Sequence, residues 1–190
     1  SRHPRDRALV SHRYNAAMRI GLLQLNAILS DPEANARRIE AAYAEAVRTG
    51  ADVVVAPEMA VPGYVAEDRL WEAGLRQRIR RASEALASVT GETPLVFGTC
   101  SPSPTGRLYN ELWWCEAGRR RAVVRKRILA AYDVFDETRW FDADLEPQPP
   151  LDFMGHRVGL TICEDLWADP TLTLGPVRYG FDPVADLAAQ

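Results

Sequence analysis

Lysine is almost missing from this chain. Of its 23 cationic side chains, 22 are arginine and one, Lys126, is lysine. Histidine and cysteine are nearly as scarce, with three of each in 190 residues. Cys100, Cys115 and Cys163 are odd in number and widely spaced, which argues against a disulfide framework and for reduced thiols in a cytoplasm. There is no CxxC, no HExxH and no His/Cys cluster, so metal ligation has little support. No apolar run approaches the length that spans a bilayer. The opening "SRHPRDRALVSHRYNAAM" lacks the apolar stretch of a secretory signal. The basic run "GRRRAVVRKR" comes without a nucleic-acid fold motif or an aromatic stacking platform, in a chain of net charge -3, and reads as an exposed hairpin edge.

What is present is an ordinary soluble balance, 47% hydrophobic and 26% charged, at a length that builds one well-cored domain. "MRIGLLQLN" (residues 18–26) reads as a buried strand. In "SDPEANARRIEAAYAEAVRTG", Asp31 is a good N-cap, Pro32 suits the first helical turn, and Gly50 stands where a C-cap glycine belongs. "ADVVVAPE" follows as a short apolar strand, so strand, helix and strand form a βαβ unit with parallel pairing. A loop leads to a second helix over about 73–89. Three strands come next, "PLVFGTC", "RLYNELWWCE" and "RRAVVRKRIL", with turns at Gly106 and at Ala117-Gly118. Residues 130–150 are a long irregular segment, a kind that is often functional. "LDFMGHRVGLTIC" reads as a hairpin whose second strand ends at Cys163, and "DPVADLAAQ" as the opening of a further helix. The chain begins with Ser rather than Met and stops at a helix start. We therefore read residues 1–17 as a flexible extension and 18–190 as an incomplete domain of a larger protein.

Ligands of open α/β sheets bind beyond the carboxyl ends of the strands. Glu58 follows "VVVAP", Lys126 closes "AVVR" and Cys163 follows "VGLTI", so one rim can hold all three. A carboxylate, an ammonium and a thiol there would make a nucleophilic site. Glu58 would take the thiol proton, the thiolate would attack a carbonyl, and Lys126 with a backbone N–H would hold the oxyanion. A helix N-terminus after Cys163 is expected to lower the thiol pKa. Singly, each residue has a plainer reading: buried small hydrophobe for the cysteine, turn residue for Glu58, surface cation for Lys126. Cys100 and Cys115 are left with that plain reading. His156 lies seven residues before Cys163 on one strand, roughly 23 Å at about 3.3 Å per residue, too far to share its proton.

Taken together, "VVVAPEMAVPGY", "RKRILAAYDVFDETRWF" and "VGLTICEDLW" resemble the three catalytic segments of the nitrilase, or carbon–nitrogen hydrolase, superfamily. "RLYNELW", "YDVFDETRWF" and "CEDLW" are most similar to its glutaminase branch, the domain found in glutamine-dependent NAD synthetases. The resemblance runs from Met18 to the end of the chain. It implies a four-layer αββα sandwich and a Glu58–Lys126–Cys163 triad that hydrolyses glutamine, or another small amide, through a thioester. It also implies supporting roles for Tyr64, Tyr132, Glu137 and Glu164, no cofactor for the hydrolytic step, and a homo-oligomer. In that branch an ATP- and magnesium-using synthetase domain consumes the ammonia; no "SGGxDS" motif for it stands in this chain. Relatives carry Pro and a polar residue where this chain has Ala130 and Ala131, which is expected to loosen the loop presenting Tyr132 and Glu137. Two other readings stay open: a free-standing amidase for another small amide, and a catalytically silent fragment or interaction module.

Overall fold

The computed structural model describes residues 17–64, 66–169, 171 and 179–190. The extension expected over residues 1–17 thus lies, apart from Ala17, outside the described residues.

Helix α1 (Pro32–Arg48) starts where the sequence places it. The Asp31 carboxylate accepts from Ala34 N–H at 3.2 Å, and Gly50 takes the left-handed φ of +88° that ends the helix. Ile39 and Tyr43, one helical turn apart, are buried on its inner face. Strands β1 (Ile20–Leu22) and β2 (Val53–Val55) flank α1 in sequence and pair in parallel, which completes the βαβ unit. Helix α2 (Ala73–Ser88) buries Leu75, Ile79 and Leu86 beside α1. Strands β3 (Leu95–Pro102), β4 (Leu108–Glu116) and β5 (Arg119–Arg125) run antiparallel, giving one sheet in the order β1-β2-β3-β4-β5. The turn between β4 and β5 has positive φ at both Ala117 (49°) and Gly118 (70°), the combination whose twist matches a two-residue hairpin. Arg119, Arg120 and Arg121 are exposed on the edge strand, as their sequence implies.

The sheet has two apolar faces. One packs on α1 and α2 through Val54, Leu95, Phe97 and Trp113. The other, with Val53, Val96, Leu112, Trp114 and Val124, meets a second sheet formed by β6 (Leu151–Phe153) and β7 (His156–Val158). Phe153 seals that contact edge-on against Trp114, centroids 5.2 Å apart. Helix α3 (Pro183–Ala188) is capped by Asp182 and rests Leu187 on Gly159.

Two strand readings are corrected. Residues 18–26 form only three residues of strand, and Ile20 and Leu22 are 51% and 72% exposed, because β1 is an edge with a neighbour on one side among the described residues. Strand β7 ends at Val158, five residues before Cys163, because pairing with the short β6 runs out there. The irregular segment after β5 is pinned rather than loose. Leu108 bridges Phe141, Asp142 N–H donates to Leu108 O at 2.8 Å, and Asp144 N–H donates to Lys126 O at 3.1 Å.

Gly98, in the middle of β3, lies directly under the segment that carries Glu58. A Cβ there would stand 2.2 Å from Met59 N, 2.5 Å from Pro57 O and 2.6 Å from Glu58 C, all of them backbone atoms that cannot rotate away. Gly98 N–H also donates to Pro57 O at 3.1 Å. Gly98→Ala is expected to cost about 1–3 kcal/mol of stability, the usual range for overpacking, measured by urea unfolding. A loss under about 0.5 kcal/mol would show that this backbone yields.

Candidate active site

Lys126 is the first residue beyond β5, and its side chain is 0% exposed. Burying an ammonium is costly unless it is paired and hydrogen-bonded. Here it is paired twice: Nζ donates to Glu58 Oε1 at 2.8 Å and to Glu137 Oε1 at 2.8 Å. Burial works to depress the Lys126 pKa, but the charges and hydrogen bonds of Glu58 and Glu137 outweigh it and hold the pKa above the ordinary lysine value. The group is therefore a fixed cation between two carboxylates.

Glu137 opens a short 3-10 turn and is itself fully buried. It accepts from Lys126, from Tyr64 Oη at 3.1 Å and from Ala130 N–H at 2.8 Å. The last bond corrects an expectation. Alanine in place of proline does not free this loop, because the N–H that proline would lack ties Ala130 to Glu137. Glu137 N–H donates back to Ala130 O at 3.0 Å, which closes the loop on itself.

Cys163 begins another 3-10 turn, Cys163–Trp167, and takes a left-handed φ of 46°. A non-glycine residue held there stores on the order of 1–3 kcal/mol, a strain that collects at functional sites. Cys163 as a residue is exposed, yet the pKa of its thiol is raised to about 11. Burial of its inner side is the first cause and the Glu58 charge the second, while Lys126 pulls the other way. The helix terminus expected to depress this pKa is a single 3-10 turn, and it loses to burial and the carboxylate. At pH 7 the free thiolate fraction is on the order of one in ten thousand for a pKa near 11. The thiol thus needs a proton acceptor during attack, and Glu58 is the carboxylate beside it.

Tyr64 and Tyr132 flank this spot. Burial first, then the Glu137 and Glu58 charges, push the Tyr64 phenol far up, and a hydrogen bond to Glu164 raises Tyr132 to about 12. Both hydroxyls stay protonated donors at neutral pH. Phe135 packs between the two rings, with centroids 6.2 Å from Tyr64 and 5.7 Å from Tyr132. Glu164 accepts from Tyr132 Oη at 2.8 Å and from Tyr179 Oη, and so fastens one rim of the site.

Residues 19–174 match the sequence profile of the carbon–nitrogen hydrolases. The chain belongs to the carbon–nitrogen hydrolase family. It is 32% identical over 156 residues to the glutamine-dependent NAD(+) synthetase of Acinetobacter baylyi, a stretch that is 82% of this hydrolase chain and 28% of that enzyme. Among solved structures, the glutamine-dependent NAD+ synthetase of Acinetobacter baumannii in complex with ADP matches with a TM-score of 0.74 at 30% identity, over 80% of this chain and 29% of that one. An amidase from Nesterenkonia sp. AN1 matches at 0.63 and 25% identity, over 82% of this chain and 60% of that one. That structure, of a glutamate-to-glutamine variant, shows the result of Michael addition of acrylamide at the active-site cysteine. The α/β nitrilase-like fold expected from the sequence is the fold of these neighbours. The hydrolase chain spans under a third of the length of its synthetase relatives.

Sequence reasoning about this hydrolase passed over Asp165, two residues after the cysteine. Asp165 is 1% exposed. Its Oδ1 accepts from Arg127 N–H at 3.1 Å and Ile128 N–H at 2.8 Å, and its Oδ2 from Ile162 N–H at 3.0 Å. One carboxyl group therefore clamps the backbone beside Lys126 to the backbone beside Cys163. Burial raises its pKa, against the pull of those three N–H groups and of Lys126. The only sequence signal was an acid inside the first turn after "TIC". Asp165→Asn would turn an NH2 group toward one of these backbone donors. It is expected to lose about 1–3 kcal/mol of stability, the penalty for a buried unsatisfied donor. Turnover is expected to fall further than that stability loss explains, as read by activity at a temperature well below both melting points.

Proposed function

We propose that this chain hydrolyses the side-chain amide of glutamine to glutamate and ammonia. The observation that supports it most is the meeting of Glu58, Lys126 and Glu137 at hydrogen-bond distance beside Cys163, in a chain that shares 32% identity with a glutamine-dependent NAD(+) synthetase. Cys163 Sγ attacks the amide carbon while Glu58 accepts the thiol proton. Lys126 and a backbone N–H stabilise the oxyanion of the tetrahedral intermediate. Collapse breaks the C–N bond, and the proton held on Glu58 leaves with the ammonia, giving a γ-glutamyl thioester. Water then attacks the thioester carbonyl with Glu58 as base, releasing glutamate and restoring the thiol. Glu137 and Tyr64 hold Lys126 in place, and Tyr132 with Glu164 fixes the opposite rim.

The hydrolytic step uses no cofactor in this scheme. In the whole protein the ammonia passes to an ATP- and magnesium-using synthetase domain that amidates deamido-NAD, in a cytoplasmic homo-oligomer. The test is ammonia and glutamate release from glutamine, run against acrylamide and propionamide. It is paired with mass spectrometry of Cys163 after a glutamine-like chloroketone. Turnover of glutamine at least about tenfold above the simple amides, about 1.4 kcal/mol in barrier height, and a single adduct on Cys163 are expected. Equal or better turnover of the simple amides would instead make this an amidase of the kind found in Nesterenkonia, and no adduct would make it a silent module.

A further inference from the structure

Asn110 stands on β4 opposite Cys100 of β3 and is 1% exposed. Its side chain donates from Nδ2 to Glu58 Oε1 at 2.7 Å, and its backbone carbonyl accepts from Lys126 N–H at 2.9 Å. One residue thus touches both members of the pair that faces Cys163. Glu58 Oε1 receives two donors, Asn110 Nδ2 and Lys126 Nζ, both on the same oxygen. Oε2 takes no hydrogen bond from either of them, and the Cys163 thiol is the further group hydrogen-bonded to the Glu58 carboxylate. Meanwhile Asn110 Oδ1 is buried without any partner. Turning the amide over would set Oδ1 against the Glu58 carboxylate, so the charge on Glu58 fixes the orientation that leaves Oδ1 unpaired. A buried acceptor without a partner lowers stability. A side chain that only filled space would be replaced here by leucine without loss.

We infer that Asn110 is a positioning residue for the base: with Lys126 it pins Glu58 Oε1, which aims Oε2 at the Cys163 thiol. The inference rests on Glu58 acting as base, part of the function proposed above, but not on glutamine being the substrate. Glu58 is faced by Lys126 and Asn110, with Cys163, Tyr64 and Glu137 around the same cluster, so any change in its alignment reads out at the thiol.

Two variants test it. Asn110→Leu keeps the branched outline with a somewhat larger side chain, deletes the donor and removes the unpaired acceptor. It is expected to melt within about 2 °C of the parent or higher. Its kcat is expected to fall about 10- to 100-fold, the size of loss seen when the hydrogen-bonded partner that orients a metal ligand is removed, with KM within about twofold. Alkylation of Cys163 by iodoacetamide at pH 7.5 is expected to slow by a similar factor. Asn110→Asp presents an acceptor to Glu58 at neutral pH and regains a donor when protonated. Its activity and alkylation relative to the parent are therefore expected to recover as pH falls toward 5, a shift that lost packing would not produce. Parent-like alkylation in Asn110→Leu, or losses in both variants that track melting temperature and ignore pH, would overturn the assignment. If the parent ignores glutamine while alkylation still slows in both variants, the substrate reading fails and the positioning role stands.

Discussion

Lys126→Arg is expected to lose at least about 100- to 1,000-fold in turnover, the range for removing one oxyanion donor, although it conserves charge. The ammonium is fully enclosed and contacts Glu58 and Glu137 at 2.8 Å each. A guanidinium is longer, planar and fixed in its fork, so it cannot take the same two contacts from the same Cα without displacing the loop that Asp165 clamps. It would also enter the space beside Cys163 that a substrate amide needs. Lys126→Ala is expected to be worse for a different reason. It leaves Glu58 and Glu137 facing each other without a cation, and removing one partner from a buried ion pair costs about 3–5 kcal/mol. The two variants therefore separate the chemistry from the fold: Lys126→Arg loses activity with a modest loss of stability, whereas Lys126→Ala loses both. Ammonia release and urea unfolding, run on both, check this. Activity of Lys126→Arg within about threefold of the parent, under 1 kcal/mol in barrier height, would sink the role of the lone lysine.

Cys163→Gly is expected to abolish hydrolysis and yet to be more stable than Cys163→Ala by about 1 kcal/mol. The cysteine holds φ at 46°, a left-handed conformation that costs an L-residue roughly 1–2 kcal/mol and glycine almost nothing. Alanine keeps the strain and loses the sulfur; glycine loses both. Differential scanning calorimetry of the two variants measures the difference. A glycine variant less stable than the alanine variant would mean that the backbone at 163 is relaxed. Substitution of Cys100 or Cys115, whose thiols burial pushes up to about 12, is expected to change stability alone. The pH dependence follows from the same group. With its pKa raised to about 11, the Cys163 thiol is neutral through the physiological range. Glu58→Gln removes the second cause that holds this thiol up and leaves the pull of Lys126, so its alkylation is expected to level off at a lower pH than that of the parent. A plateau at the parent's pH or above in Glu58→Gln would show that the Glu58 charge does not act on the thiol.

Much of this molecule is legible in its sequence, and the reason is range. Asp31, Pro32 and Gly50 bound α1 because capping and φ preference act within a turn or two of the chain. Gly106 and Ala117-Gly118 mark turns for the same local reason. The segments around Glu58, Lys126 and Cys163 offer a carboxylate, an ammonium and a thiol at strand ends, and it is the resemblance of all three segments together, not any one residue, that joins them. The strand limits at β1 and β7 were overrun, because apolar runs do not say where a pairing partner ends.

What only the tertiary structure decided lies between residues far apart in the chain. Lys126 reaches Glu58 across 68 positions, Asn110 reaches Glu58 across 52, and Asp165 holds Ile128 across 37. No periodicity or propensity extends over such separations. The direction of the Cys163 pKa was equally out of reach, because it depends on whether burial and Glu58 outweigh Lys126 and a short helical turn. That balance is set by distances and desolvation, quantities that exist only once the strands have brought these side chains together.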